Sequence, residues 1–192
     1  MSLPLQVAFI TGQSDPGRCA LSPAQEAFLD TLPVPAAGRV RRNFPYAADT
    51  PPHRKAHVIQ ASWHNARQYQ ASRAPAFGDR HRLAVLQLIA GADHTVLLAG
   101  SCGLELLANL NLPDPALCRL HVFAYGPVAR HRPACETYVV RGRRDWIARA
   151  WGRSADLLVD TGHMDYLQNA EVRASCQAFV ARCIARADGG AL

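Results

Sequence analysis

Short apolar runs alternate with stretches of helical periodicity along most of the chain, and few architectures accept that rhythm. The runs QVAFITG (6–12), HTVLLAG (94–100), RLHVFAYG (119–126), ETYVVRG (136–142) and ADLLVDTG (155–162) read as strands. Helical segments stand between them, so the pattern is that of a parallel α/β sheet. The expected fold is a three-layer α/β sandwich, a mostly parallel sheet with helices on both faces. With 192 residues and 20.9 kDa, positions 1–192 fit one domain that can bury a substantial core.

Local signals sharpen several elements. SPAQEAFLDTL opens with Ser22 as N-cap, Pro23 in the first turn and Gln25 as capping-box partner, which predicts a helix. RVRRNF after Gly38 reads as an edge strand. From Pro45 to Asp79 the chain is least legible: a helix-compatible stretch over 57–72 carries Trp63 and Tyr69, and 81–91 spaces Leu83, Val85, Leu86 and Ile89 helically. In the last helix Val172, Cys176, Phe179, Val180, Cys183 and Ile184 share one face, so its two cysteines read as core.

Composition excludes several classes. Hydrophobic residues make up 49% and charged residues 19%, which argues against disorder. No window reaches the roughly 18 apolar residues of a membrane-spanning helix, and MSLPLQVAFITGQSD lacks a basic region before its apolar run. A cytoplasmic protein with no membrane span is therefore expected. None of the cysteines (Cys19, Cys102, Cys118, Cys135, Cys176, Cys183) forms a CxxC pair, so reduced thiols are expected rather than zinc ligands. The net charge of +6 invites a nucleic-acid reading, but the basic residues are almost all arginine and are spread from Arg18 to Arg186. No nucleic-acid partner is expected.

The segment TVLLAGSCGLELLANL (95–110) carries the most chemistry. An aliphatic strand runs into Ala99-Gly100-Ser101-Cys102-Gly103 and then into a helix-forming stretch. A serine at such a turn takes a strained backbone that lifts its hydroxyl clear of the sheet, and small residues two before and two after make room for it. The helix start beyond it favours developing negative charge.

With that elbow the chain resembles the α/β-hydrolase superfamily, with Ala99 where glycine is usual. The resemblance implies an acid and then a histidine, each following a later strand. ETYVVRGRRDWI offers Asp145 as the acid, and ADLLVDTGHMDYL offers His163, preceded by the small Gly162. Asp145 also reads as an N-cap for WIARAW, and Asp160 and Asp165 flank the histidine as turn or capping residues. By the same resemblance the oxyanion-hole donors are the backbone N–H groups of Gln13 and Cys102, with Thr11-Gly12 standing where the family usually has His-Gly. Cys102 is the weaker nucleophile candidate, because Leu104 is bulky where a cysteine elbow would need a small residue.

The expected function is a cofactor-free serine hydrolase that cleaves a carboxylic ester or thioester through an acyl-enzyme on Ser101. Its substrate would be a small acyl ester or thioester, and the basic balance fits an acidic acyl carrier by analogy of charge. A hydrolase-like scaffold serving as a binding or accessory protein is the alternative. The short link between RLHVFAYG and TYVV leaves no room for a lid domain there and reduces the usual connecting helix to PVARHRPACE. Residues 44–79, with Phe44, Tyr46, Trp63, Tyr69 and Phe77, are the candidate substrate-contacting insertion or else an ordinary helix on the sheet. His53, His57 and His64 have no neighbouring carboxylates, and no metal is expected.

Overall fold

The computed structural model describes residues 3–12, 19–47, 67–152 and 154–189. Six strands form one sheet in the order β2-β1-β3-β4-β5-β6, every neighbouring pair parallel. They are β1 Leu3–Thr11, β2 Arg39–Asn43, β3 Ala92–Gly100, β4 Leu120–Tyr125, β5 Glu136–Gly142 and β6 Leu157–Val159. All of β4 and the last six residues of β3 are buried, as parallel strands covered on both faces require.

Alternate residues of β1, β3, β4 and β5 feed two cores. On one face, helices α1 (Pro23–Asp30) and α6 (Ala170–Gly189) bring Phe28, Leu29, Val172, Phe179 and Val180 against Val7, Phe9, Val96, Leu98 and Phe123. On the other, α2 (Pro75–Ala90) and α3 (Gly103–Asn109) bring Val85, Ile89, Leu104 and Leu107 against Ala8, Ile10, Leu97, Ala99 and Val122. This is the expected three-layer arrangement, with all of its strands parallel. Two short helices, α4 (Asp114–Leu117) and α5 (Trp146–Arg149), lead into β4 and follow β5.

The capping box forms as read: the Gln25 amide donates to Ser22 Oγ at 3.3 Å, and the Ser22 amide donates to Gln25 Oε1 at 2.9 Å. Helix α2 starts at Pro75, earlier than its apolar periodicity suggests, because proline suits a first turn whose amides have no intrahelical acceptor. Residues 67–71 are also helical. Of the aromatic residues in 44–79, Phe44 and Phe77 are buried with ring centroids 5.9 Å apart, and Tyr69 is buried in the same core. Trp63, His53, His57 and His64 lie outside the described residues. None of the six cysteines is in a disulfide. Among the described residues no helix is long and apolar enough to cross a membrane.

Two features of the topology position a site. The chain leaves β1 toward β2 and later returns to lay β3 on the other side of β1, so the connections diverge between the carboxyl ends of β1 and β3. In open parallel sheets ligands bind in such a crevice. Second, β4 passes to β5 through residues 126–135 with no helix, although parallel strands are ordinarily joined by one. The register aligns the exits: Gly100 pairs with Thr11 and Tyr125, Tyr125 with Val140, and Gly142 with Val159.

Candidate active site

Ser101 follows the last residue of β3 with φ of 52°, a left-handed conformation that an L-serine adopts at a cost of about 1–3 kcal/mol. The turn is held from both sides: the Ser101 amide donates to the Tyr125 carbonyl at 3.3 Å, and the Val128 amide donates to the Ser101 carbonyl at 2.9 Å. Gly103 then lets α3 cross the end of β1. A Cβ there would lie 1.8 Å from the Ile10 carbonyl oxygen, so no other residue fits without displacing the backbone. The small residue after the serine is thus demanded by this crossing.

Asp145 and His163 converge on that turn. Ser101 Oγ lies 3.1 Å from His163 Nε2, and His163 Nδ1 lies 2.9 Å from Asp145 Oδ2. With a carboxylate at Nδ1, that nitrogen carries the proton and Nε2 is left free to accept the serine proton. The Asp145 side chain is wholly buried, whereas that of His163 is 16% exposed, so the acid is dry and the imidazole is within reach of an incoming molecule.

Asp145 makes both of the contacts the sequence suggests, an N-cap bond and a bond to His163. As N-cap of α5, its Oδ1 accepts from the Ala148 amide at 2.9 Å, leaving Oδ2 for His163. Oδ2 also accepts from the Tyr166 hydroxyl at 2.7 Å, and that hydroxyl accepts from the Gly142 amide at 2.7 Å. Burial raises the carboxyl pKa, but the bonds from His163, Ala148 and Tyr166 outweigh it and hold the group below its ordinary value. Gly126, at φ 53°, backs onto this cluster; a Cβ there would stand 2.6 Å from the Tyr166 ring. Asp160 instead pairs with Arg144 at 2.8 Å on the surface, and Asp165 precedes a 3-10 turn over Tyr166–Gln168.

Cys102 is buried with its thiol pushed up to about 12 by desolvation, a poor state for a nucleophile. Its backbone amide is the next in the chain after Ser101. Gln13, the other expected oxyanion donor, lies outside the described residues.

Several residues of consequence carry little sequence signal. Tyr166 sits three positions after His163 and its partner Asp145 is distant in sequence, so nothing local marks it. Arg141 is a charge directly after the apolar Tyr138-Val139-Val140 of β5, which is a usable signal. Glu105, 1% exposed on α3, accepts from the Arg130 amide at 2.9 Å and from Arg130 Nε at 2.8 Å, and so pins the loop after β4.

Among the described residues, metal-ligand types gather in His121, Glu136 and Cys183, whose donor atoms lie within 4.8 Å of one another. Glu136 Oε2 is already engaged by His121 at 2.8 Å and by Arg186 at 2.6 Å, so a cation there would have to displace a guanidinium. In comparison with known proteins, no family model and no curated protein matches this chain.

Proposed function

We propose that the protein is a serine hydrolase of the α/β-hydrolase kind that cleaves a carboxylic ester or thioester through an acyl-enzyme on Ser101. The observation that carries this reading is the continuous chain from Ser101 Oγ through His163 to Asp145, at 3.1 and 2.9 Å, on a serine held at positive φ. A serine hydroxyl is a weak nucleophile until a base takes its proton. As Oγ bonds to the substrate carbonyl carbon, His163 Nε2 takes the hydroxyl proton, and Asp145 stabilises the resulting imidazolium. The negative charge on the carbonyl oxygen needs a donor close to Ser101, and the Cys102 amide is the nearest in the chain.

Collapse of the tetrahedral adduct breaks the carbon–oxygen or carbon–sulfur bond, and the leaving group takes the proton from Nε2. Water then attacks the acyl-enzyme with His163 again as base, releasing the acid and restoring the Ser101 hydroxyl. The experiment is hydrolysis of 4-nitrophenyl acetate and butyrate by the wild-type protein and by Ser101→Ala and His163→Ala. Turnover that both substitutions abolish supports the reading. Turnover unaffected by either, or none above buffer with any acyl ester or thioester, overturns it in favour of a non-catalytic scaffold.

A further inference from the structure

Where the helix between β4 and β5 is missing, a cavity of about 180 Å³ opens over β5, lined by Arg130, Arg132, Arg141, Leu104 and Trp151 among others. It adjoins the elbow: Pro127 lines it, and the next residue, Val128, bonds the Ser101 carbonyl. Arg141 forms its floor. Only 7% exposed, Arg141 donates from Nε to the Ser154 carbonyl at 3.1 Å, and from Nη1 to the Pro127 carbonyl at 3.4 Å and the Ala148 carbonyl. All of these acceptors are neutral.

Asp145 is near enough to act on Arg141, but its oxygens are taken by His163, Tyr166 and Ala148. The remaining nitrogen, Nη2, faces Gly152, where an added Cβ would meet nothing else and would still clear it by 3.5 Å. Across the mouth, Arg132 reaches Ser154 Oγ at 3.4 Å, and neither Arg132 nor Arg141 is ion-paired with a described residue. Arg130, by contrast, is matched by Glu105 at 2.7 Å.

A buried guanidinium satisfied only by carbonyls keeps an uncompensated charge, which is costly in a dry site and is relieved by an anion. Burial pulls the Arg141 pKa down, although Tyr166 and the nearby Asp145 carboxylate act to raise it. Guanidinium groups prefer planar or tetrahedral oxyanions.

We propose that this cavity holds an anionic group of the substrate, a carboxylate or a phosphate, while Ser101 attacks the acyl carbon, an inference that rests on the hydrolase reading. The anion can sit on the acyl part or on the leaving group, and the two sources are separable. The first measurement needs no turnover: titrate the wild-type protein and Arg132→Gln with glutarate and with inorganic phosphate by calorimetry. A saturable single site, weakened about tenfold or more by Arg132→Gln, is expected from loss of one charge-assisted contact. Arg132 is exposed, so the variant should fold, and its thermal unfolding is checked alongside.

The second measurement compares kcat/KM for mono-4-nitrophenyl glutarate against 4-nitrophenyl butyrate, and for butyryl coenzyme A against the butyryl thioester of N-acetylcysteamine. A preference for the anionic member of either pair, reduced about tenfold in Arg132→Gln, supports the proposal and tells which side carries the charge. Neutral esters hydrolysed with neither anion bound and neither anionic substrate preferred would overturn this cavity's role and leave the hydrolase reading intact. Anions bound through Arg132 with no ester turned over would overturn the hydrolase reading and with it the substrate role, leaving only an anion site. Binding indifferent to Arg132→Gln also overturns the proposal.

Discussion

Replacing Gly103 by alanine separates the crossing of α3 over β1 from ordinary helix preference. On propensity alone the change should stabilise, since alanine is favoured over glycine in a helix by about 1 kcal/mol. The structure predicts the opposite sign. The added Cβ would lie 1.8 Å from the Ile10 carbonyl oxygen and 2.8 Å from its carbon, both backbone atoms that cannot swing aside. Restoring ordinary contact means moving the end of β1 or the start of α3 by more than an ångström. Overpacking of a rigid site costs about 1–3 kcal/mol, and a 1.8 Å backbone contact belongs at the upper end, so with about 1 kcal/mol of helix preference set against it the net loss should be about 1–2 kcal/mol. For a chain of this size that lowers Tm by roughly 2–8 °C. The same displacement would pull Ser101 from His163 Nε2, so under the proposed function ester hydrolysis should fall further than stability does. Thermal unfolding followed by circular dichroism, with activity assayed well below Tm, is the assay. An alanine variant as stable as the parent, or more so, would refute the close crossing and the elbow geometry built on it.

Asp145→Asn should keep the fold and lower kcat by about a thousandfold or more, because the imidazole then favours the wrong tautomer; Asp160→Asn, on a surface pair with Arg144, should change kcat little. Kinetics on one activated ester compares the two, and a crippling Asp160→Asn beside a near-normal Asp145→Asn would reverse the assignment. Tyr166→Phe removes a bond to a buried carboxylate and strands the Gly142 amide, so it should cost about 2–4 kcal/mol in urea unfolding; a loss below about 1 kcal/mol would contradict the bridge. The depressed Asp145 carboxyl fixes the sign of an acid effect. Its stabilisation is present above the unfolded-state value near 3.8 and is lost as pH falls through the lower folded value, so wild type should lose stability below about pH 4 more steeply than Asp145→Asn. Parallel acid limbs in the two proteins would contradict it.

What the sequence discloses and what it hides divides along physical lines. Parallel strands buried on both faces appear as mostly apolar runs, so β1, β3, β4 and β5 were legible, as was the apolar face of α6 from Val172 to Cys183. The capping residues Ser22 and Gln25 marked the start of α1 because that interaction is local. Ser101, Asp145 and His163, which follow β3, β5 and β6, were picked out through the hydrolase resemblance, and parallel strands deliver those exits to one edge. Contacts formed by tertiary packing were not readable. Tyr166 meets Asp145 and Gly142 only once β5 and the turn before α6 are docked, and a lone tyrosine has no periodicity to betray it. The unpaired state of Arg141 likewise emerges from what surrounds it. Its position directly after Tyr138-Val139-Val140 was the visible clue, and its carbonyl partners on three separate segments could not be inferred from spacing.

If Ser101 is an activated nucleophile, it reacts covalently with an organophosphorus electrophile. The protein is incubated with a fluorophosphonate probe, its intact mass is measured, and the modified residue is located by peptide sequencing. One adduct is expected, on Ser101, absent from Ser101→Ala and strongly slowed in His163→Ala. A protein that remains unlabelled while fully folded, or an adduct that persists in Ser101→Ala, would contradict the account.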